Sequence, residues 1–244
     1  MEDGKTIEEA MAVGEYKEGP NDFTSGPRDF SDYHLNSGVW QMYANREMRF
    51  YACVGFNGCY WPASSTTDGS YRLQTVKYCM DGNAGKYAGT VGSDNYTPTG
   101  YVIKKYISSY DAWRGNSSER YEKGFPIIRY AEILLSYAEA LNQLTTTHAI
   151  TLPTGESYSL SRDMNEIAKA FNQVRYRAGL PGLTQAQLES PTEMFEQIKR
   201  ERMVEFLGEG RRFYDVRRWG IYEDVDSEPI MGLNIAANEF GGFY

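Results

Sequence analysis

The chain has 244 residues, enough to bury a core, with 41% hydrophobic and 24% charged residues, a net charge of −8 and a pI near 5.0. This acidic balance excludes a nucleic-acid surface, which rests on clustered Lys and Arg. The one Arg cluster, Arg211, Arg212, Arg217 and Arg218, is interleaved with Glu201, Glu205, Glu209 and Asp215, a pattern that predicts internal ion pairing. The departure from ordinary composition is aromatic: 20 Tyr and 14% Phe, Trp and Tyr supply flat apolar faces with polar edges, as a wet recognition surface requires.

In chain order, residues 1–122 read as a loop-rich aromatic lobe with short strands. A short helix is predicted over residues 5–13, and strands are predicted at 49–55, 71–78 and 101–107, where β-branched and aromatic residues concentrate. Residues 81–100, with Gly82, Gly85, Gly89, Gly92 and Gly100, predict an exposed loop. From residue 123 to 244 the pattern becomes helical. A helix is predicted over 129–144, with Ile133, Leu134, Tyr137, Ala138 and Leu141 as its apolar stripe. A second, over 161–178, presents Ile167, Phe171, Val174 and Ala178, and Gly179 and Pro181 end it. The third starts at Ser190-Pro-Thr-Glu, a capping-box pattern, and buries Phe195, Ile198, Met203 and Phe206. Gly208 and Gly210 then break the chain before a short fourth helix through Phe213, Val216 and Trp219. The fold class expected is mainly α: a helical-hairpin, TPR-like core with an irregular, loop-rich lobe carrying short strands, the two forming one compact unit.

The chemistry of an enzyme is thin. His34 and His148 stand apart, and no HExxH, GxSxG, Walker or dinucleotide pattern occurs, so neither a metal nor a cofactor is expected. Cys53, Cys59 and Cys79 form no CxxC pair and leave the disulfide state open. A glycosidase needs only two carboxylates, which 33 Asp and Glu do not exclude, but the loop carboxylates Asp68, Asp111 and Glu119 carry no distinguishing pattern.

Three segments together resemble the SusD/RagB family: Phe125-Pro-Ile-Ile-Arg-Tyr-Ala-Glu-Ile-Leu-Leu-Ser-Tyr-Ala-Glu-Ala-Leu-Asn, Phe171-Asn-Gln-Val-Arg-Tyr-Arg-Ala-Gly-Leu-Pro and Ile198-Lys-Arg-Glu-Arg-Met-Val-Glu-Phe-Leu-Gly-Glu-Gly-Arg-Arg-Phe-Tyr-Asp-Val-Arg-Arg-Trp-Gly. Asn45-Arg-Glu-Met-Arg-Phe-Tyr-Ala and Met231-Gly-Leu-Asn add weaker support. The resemblance implies a fragment of a longer surface lipoprotein of the outer membrane, whose signal peptide and lipid-anchor cysteine are outside this chain. It further implies a nutrient-binding protein that delivers a glycan to a SusC-like TonB-dependent transporter, without catalysis. The alternatives are a glycoside hydrolase using paired carboxylates and a purely structural interaction module.

The matched motifs themselves have a structural use. Glu132 and Glu139 lie seven apart, as do Arg211 and Arg218, so each pair shares a helix face and predicts a carboxylate–guanidinium network, with Glu201 and Glu205 joining Arg211 or Arg212. That leaves ligand contact to the loop-rich lobe. Sugar rings dock their C–H faces on aromatic planes and need polar groups at the rim, which Trp40, Tyr43, Asn57, Tyr60, Trp61, Tyr71 and Trp113 supply. Trp219, on a packed helix, is expected in the core.

Overall fold

The computed structural model describes residues 5–15, 35, 38–61, 74–87, 96–108, 110–111 and 121–244. Their packing divides into two units, Lys5–Gly124 with Ile221–Tyr244, and Phe125–Gly220. The carboxy-terminal tail therefore belongs with the aromatic lobe, although its sequence follows the helices. Most of the regular structure is helical, with three two-stranded pairings.

In the aromatic unit, Thr6 and Glu9 close a reciprocal capping box at the start of α1 (Ile7–Ala12). A 3₁₀ turn (Gln41–Tyr43) leads to α2 (Met48–Cys53), which replaces most of the strand expected at 49–55. The local β preference loses to packing: Tyr51 is buried, and its hydroxyl donates to the Tyr43 carbonyl at 2.6 Å and accepts from the Arg46 N–H at 3.0 Å, closing the chain into a turn. The remaining strands are two residues long. β1 (Val54–Gly55) pairs antiparallel with β4 (Val102–Ile103), and β2 (Tyr60–Trp61) with β3 (Gln74–Thr75). The tail adds α8 (Tyr222–Asp226) and α9 (Phe240–Phe243), and Phe243 is fully buried beside Tyr78 and Cys79.

The helical unit contains α3 (Tyr130–Asn142), α4 (Met164–Arg177), α5 (Gln185–Glu189), α6 (Pro191–Glu205) and α7 (Arg211–Arg218). Its core is Leu135 and Ala138 of α3, Ile167, Phe171 and Val174 of α4, Met194 and Ile198 of α6, and Phe206. α4 presents the predicted face and ends as predicted. Gly179 takes a positive φ, its N–H reaches the Tyr176 carbonyl, and the Leu180 N–H reaches back to Arg175, a Schellman closure that Pro181 makes final. Ser190 caps α6 by accepting from the Glu193 N–H at 3.2 Å, but the Glu193 side chain accepts from Gln197 instead of closing a box.

Two predicted faces are rotated. On α3 the buried stripe is Ala131, Leu135, Ala138 and Leu141, while Ile133 and Tyr137 remain 54% and 45% exposed. On α6 the buried line is Met194, Ile198, Glu201, Arg202 and Glu205; Met203, two residues beyond Glu201 and therefore about 200° around the helix, is exposed. In both helices the apolar pattern alone allows more than one facing, and buried charges select the one observed.

Those charges form the expected network with altered partners. Arg211 pairs with Glu132 at 2.9 Å, and Arg218 holds Glu139 through both amino groups and Asp215 through Nε. Glu205, however, takes Arg129 at 2.7 Å and Arg177 at 2.5 Å, and Glu201 takes Arg175 at 3.5 Å, so neither carboxylate meets Arg211 or Arg212 as expected. Arg202 grips Asp215 in a fork, at 2.9 and 3.0 Å, with both side chains 5% exposed. Phe206 lies under two of these guanidinium groups, Arg129 at 5.3 Å and Arg202 at 5.1 Å from its centroid.

A β-hairpin absent from the sequence reading joins α3 to α4. β5 (His148–Thr151) and β6 (Ser157–Leu160) pair in register, and all eight residues are exposed. Its signal was available in the alternating residues on either side of Pro153-Thr-Gly.

Asp215→Asn should destabilise the helical unit by about 3–5 kcal/mol, because it strands the buried Arg202 guanidinium without its counter-charge. Urea unfolding followed by circular dichroism measures this, and Met203→Ala, on the exposed side of α6, should change the unfolding free energy by less than about 0.5 kcal/mol.

Candidate ligand-binding site

The aromatic unit is built around Tyr43, which is 1% exposed. Its ring lies 4.4 Å from Phe56 and 6.1 Å from Phe50, and Tyr101 and Tyr244 approach edge-on at 6.2 and 5.8 Å. Tyr43 is therefore a core ring in this structure with no open face for a sugar, contrary to its expected place on the platform. Its position on the 3₁₀ turn drives it inward, between the ring-bearing α2 and the strand that follows. Asn57 is likewise fully buried. Its side-chain oxygen accepts from the Tyr78 N–H at 2.8 Å, so the amide satisfies backbone and does not reach a surface rim.

Trp40, Tyr60 and Trp61 are half-buried. Trp40 stacks on Tyr244 with centroids 4.5 Å apart and planes 12° from parallel, which fixes one indole face and the ring's tilt. Trp61 pairs with Gln74 across the β2–β3 ladder, and lies so close over Gly55 that a Cβ there would sit 3.2 Å from its ring. The Lys104 ammonium is 5.7 Å from the Trp61 centroid and donates to the Tyr51 carbonyl at 3.0 Å. Neighbouring structure thus holds both tryptophans. Tyr71 and Trp113 lie outside the described residues. Sequence reasoning did not single out Lys104, which is buried, or Tyr244, which supports Trp40 from 204 positions away in the chain.

The electrostatics of this region favour neutral rings. Burial, then the facing Tyr101 phenol, pushes the Tyr244 hydroxyl up to about 12, against hydrogen bonds with Asn57 and Tyr43 that lower it. Burial raises Tyr43 and Tyr78 further, and raises the Cys59 thiol, while it lowers Lys104. For Asp111, burial alone would raise the carboxyl. Bonds from Lys123 and from the Tyr121 and Ser108 N–H groups hold it below the ordinary carboxylate range. A glycosidase acid needs the opposite shift, so Asp111 does not suit that role; Asp68 and Glu119 lie outside the described residues. Among the described residues no group of three His, Cys, Asp or Glu is placed to hold a metal.

A helical-hairpin unit together with a loop-rich aromatic lobe is the fold of the SusD-like proteins. The chain belongs to the SusD family, whose sequence profile matches residues 1–244. A solved SusD-like protein from Bacteroides fragilis is 32% identical with a TM-score of 0.53, the match covering 75% of this chain and 30% of that one. The protein solved as BT4246, and its selenomethionine form, are 23% identical with TM-scores of 0.58; each match covers 84% of this chain, and 31% and 32% of theirs. At that identity they share the fold alone. This chain spans about a third of the length of these structures. No curated protein matches it.

The raised phenols predict alkaline lability. Tyr244 and Tyr43 ionise above the ordinary tyrosine value of 10.0, so the folded state keeps protons that the unfolded chain releases. Their stabilisation is complete below pH 10.0 and is lost as the pH rises towards about 12; Lys104, lowered from 10.5, is deprotonated in both states at the top of that window and adds no slope there. Unfolding free energy measured across this window should fall, and the share of tyrosinate absorbance that belongs to the raised phenols of Tyr43, Tyr78 and Tyr244 should appear only with unfolding. Full ionisation of all tyrosines in the folded protein at the ordinary value would contradict the burial described.

Proposed function

We propose that the chain is the later part of a surface receptor that captures a glycan and passes it unchanged to a TonB-dependent transporter. The single observation that carries this reading is the SusD family match over residues 1–244. Within the chain, Trp40, Tyr60 and Trp61 are the proposed contact residues, because they combine partial exposure with rigid support from Tyr244, the β2–β3 ladder and Gly55. A ring already fixed loses little freedom when a sugar docks on it. Tyr43 and Asn57 act beneath the surface, one packing the scaffold and the other tying residue 57 to residue 78. Tyr71 and Trp113 extend the same proposal.

Catalysis forms no part of the proposed role. The buried carboxylates Glu139, Glu201, Glu205 and Asp215 are each engaged by guanidinium groups, so their oxygens serve contacts within the helical unit rather than a substrate. Among the described residues no helix is long and apolar enough to cross a membrane. Surface attachment through a lipid anchor, and docking to a SusC-like partner, are proposals resting on the family.

Calorimetry against a panel of host and plant polysaccharides tests the receptor reading. Trp40→Ala or Trp61→Ala should weaken binding of the ligand found by about 1–3 kcal/mol, as loss of a stacking face does, and the ligand should be recovered intact. Unchanged affinity in both folded variants would remove the platform. Carboxylate-dependent release of reducing ends would replace the receptor with a hydrolase.

A further inference from the structure

The loop following β3 is more tightly constructed than its glycines imply. The Asn83 side chain ties it back to the end of β3, its oxygen accepting from the Lys77 N–H at 2.8 Å and its nitrogen donating to the Thr75 carbonyl at 2.9 Å. The backbone adds Ala84 N–H to Lys77, Gly85 N–H to Gly82 and Tyr87 N–H to Met80, and the Met80 N–H is held by Ala237 of the tail. The chain folds back so closely that a Cβ at Gly82 would lie 2.2 Å from the Lys77 carbonyl oxygen, and one at Gly85 would lie 1.9 Å from that of Cys79. Glycine is obligatory at both positions by contact with backbone, which cannot yield as a side chain can. A loop fixed in this way presents its last side chains in a defined geometry.

Those side chains are Lys86 and Tyr87. The Lys86 ammonium sits 5.9 Å from the Tyr87 centroid and 5.5 Å from that of Tyr96, and among the described residues it pairs with no carboxylate; Asp81 of the same loop forms no ion pair with it. Tyr87 is 62% exposed. Aromatic faces orient a cation without neutralising it, so the charge stays available to an anion. The surrounding sequence has the same sign: residues 35–111 carry seven Lys and Arg against five Asp and Glu, in a chain whose net charge is −8.

We infer that Lys86, Tyr87 and Tyr96 form a recognition point for an anionic sugar, in which the Lys86 ammonium meets a carboxylate or sulfate and the exposed Tyr87 ring stacks on the sugar face. The inference rests on the receptor reading and narrows its ligand to charged glycans. Lys86 supplies discrimination by charge, and Tyr87 supplies contact that neutral and charged rings share.

Matched pairs of polymers test it on the full chain: polygalacturonate against its methyl-esterified form for carboxylates, and dextran sulfate against dextran for sulfates. At least one charged member should bind about ten-fold or more tighter than its neutral counterpart, and Lys86→Gln should reduce that ratio to about two-fold or less. Lys86→Arg should restore the preference, Tyr87→Ala should weaken both members together, and Lys5→Gln, a charge removed elsewhere, should leave the ratio unchanged. Which pair responds separates carboxylate from sulfate. A Lys86→Gln protein that is folded by circular dichroism and keeps the wild-type ratio overturns the inference, as does a wild-type protein that binds both members equally, and in that case the receptor reading survives. Binding of no polymer in any pair, or in the wider panel, removes both.

Discussion

The helical unit depends on how a set of buried guanidinium and carboxylate groups share one another. Arg202 and Asp215 are nearly removed from water, and Glu205 exposes only 1% of its side chain, so each must find its counter-charge within the protein or bear a large desolvation cost. The solutions are directional: a fork from Arg202 to Asp215, two amino groups of Arg218 on Glu139, and one carboxylate of Glu205 shared by Arg129 and Arg177. Apolar packing tolerates small rotations of a helix; a guanidinium fork does not. This requirement turns α3 so that Glu139 faces Arg218 and Trp219, leaving Ile133 and Tyr137 outside. Because Glu132 and Glu139 are spaced as Arg211 and Arg218 are, the two pairs also fix the register of α7 along α3.

The same particulars show which parts of the fold were legible in the sequence. α4 was, because its stop is written locally: Gly179 and Pro181 leave the backbone few choices, and Ile167, Phe171 and Val174 all lie on one face. The existence of the charge network was legible from the seven-residue spacing. Its partners were not, since Arg129, Arg175 and Arg177 meet α6 through geometry that sequence separation does not reveal. The residues of α2 misled for a different reason. Phe50, Tyr51 and Cys53 favour strands on average, but here the long-range demand to seat Phe50 and Tyr51 against Tyr43 and Phe56 outweighs that preference.

The candidate site was legible as composition more than as residues. A tyrosine suited to stacking on a sugar is equally suited to filling a core, and only the fold separates Tyr43, sealed among four other rings, from Tyr87, most of whose surface is open. Asn57 shows the same ambiguity for polar groups: one amide serves a ligand hydroxyl or a backbone N–H equally well, and here it is the backbone of Tyr78. The Gly-rich run from residue 81 reads as looseness in the sequence, yet its first half is held by side-chain and backbone bonds.

The hairpin between α3 and α4 has a consequence of another kind. Eight exposed residues joined by a ladder of their own add no side chain to the core of the helical unit, and a two-stranded ribbon of this length has little stability beyond that of its turn. The anchoring of its neighbours lies below it: Asn142 bridges to the Pro191 carbonyl and accepts from Arg162, and Asp163 caps α4. The ribbon can therefore open without loosening the helices that carry it, and its amides should exchange with solvent well before those of α3 or α4. In the chemistry of the whole chain it is the place to cut, lengthen or label, a handle by which the protein can be altered while the charge network beneath stays closed.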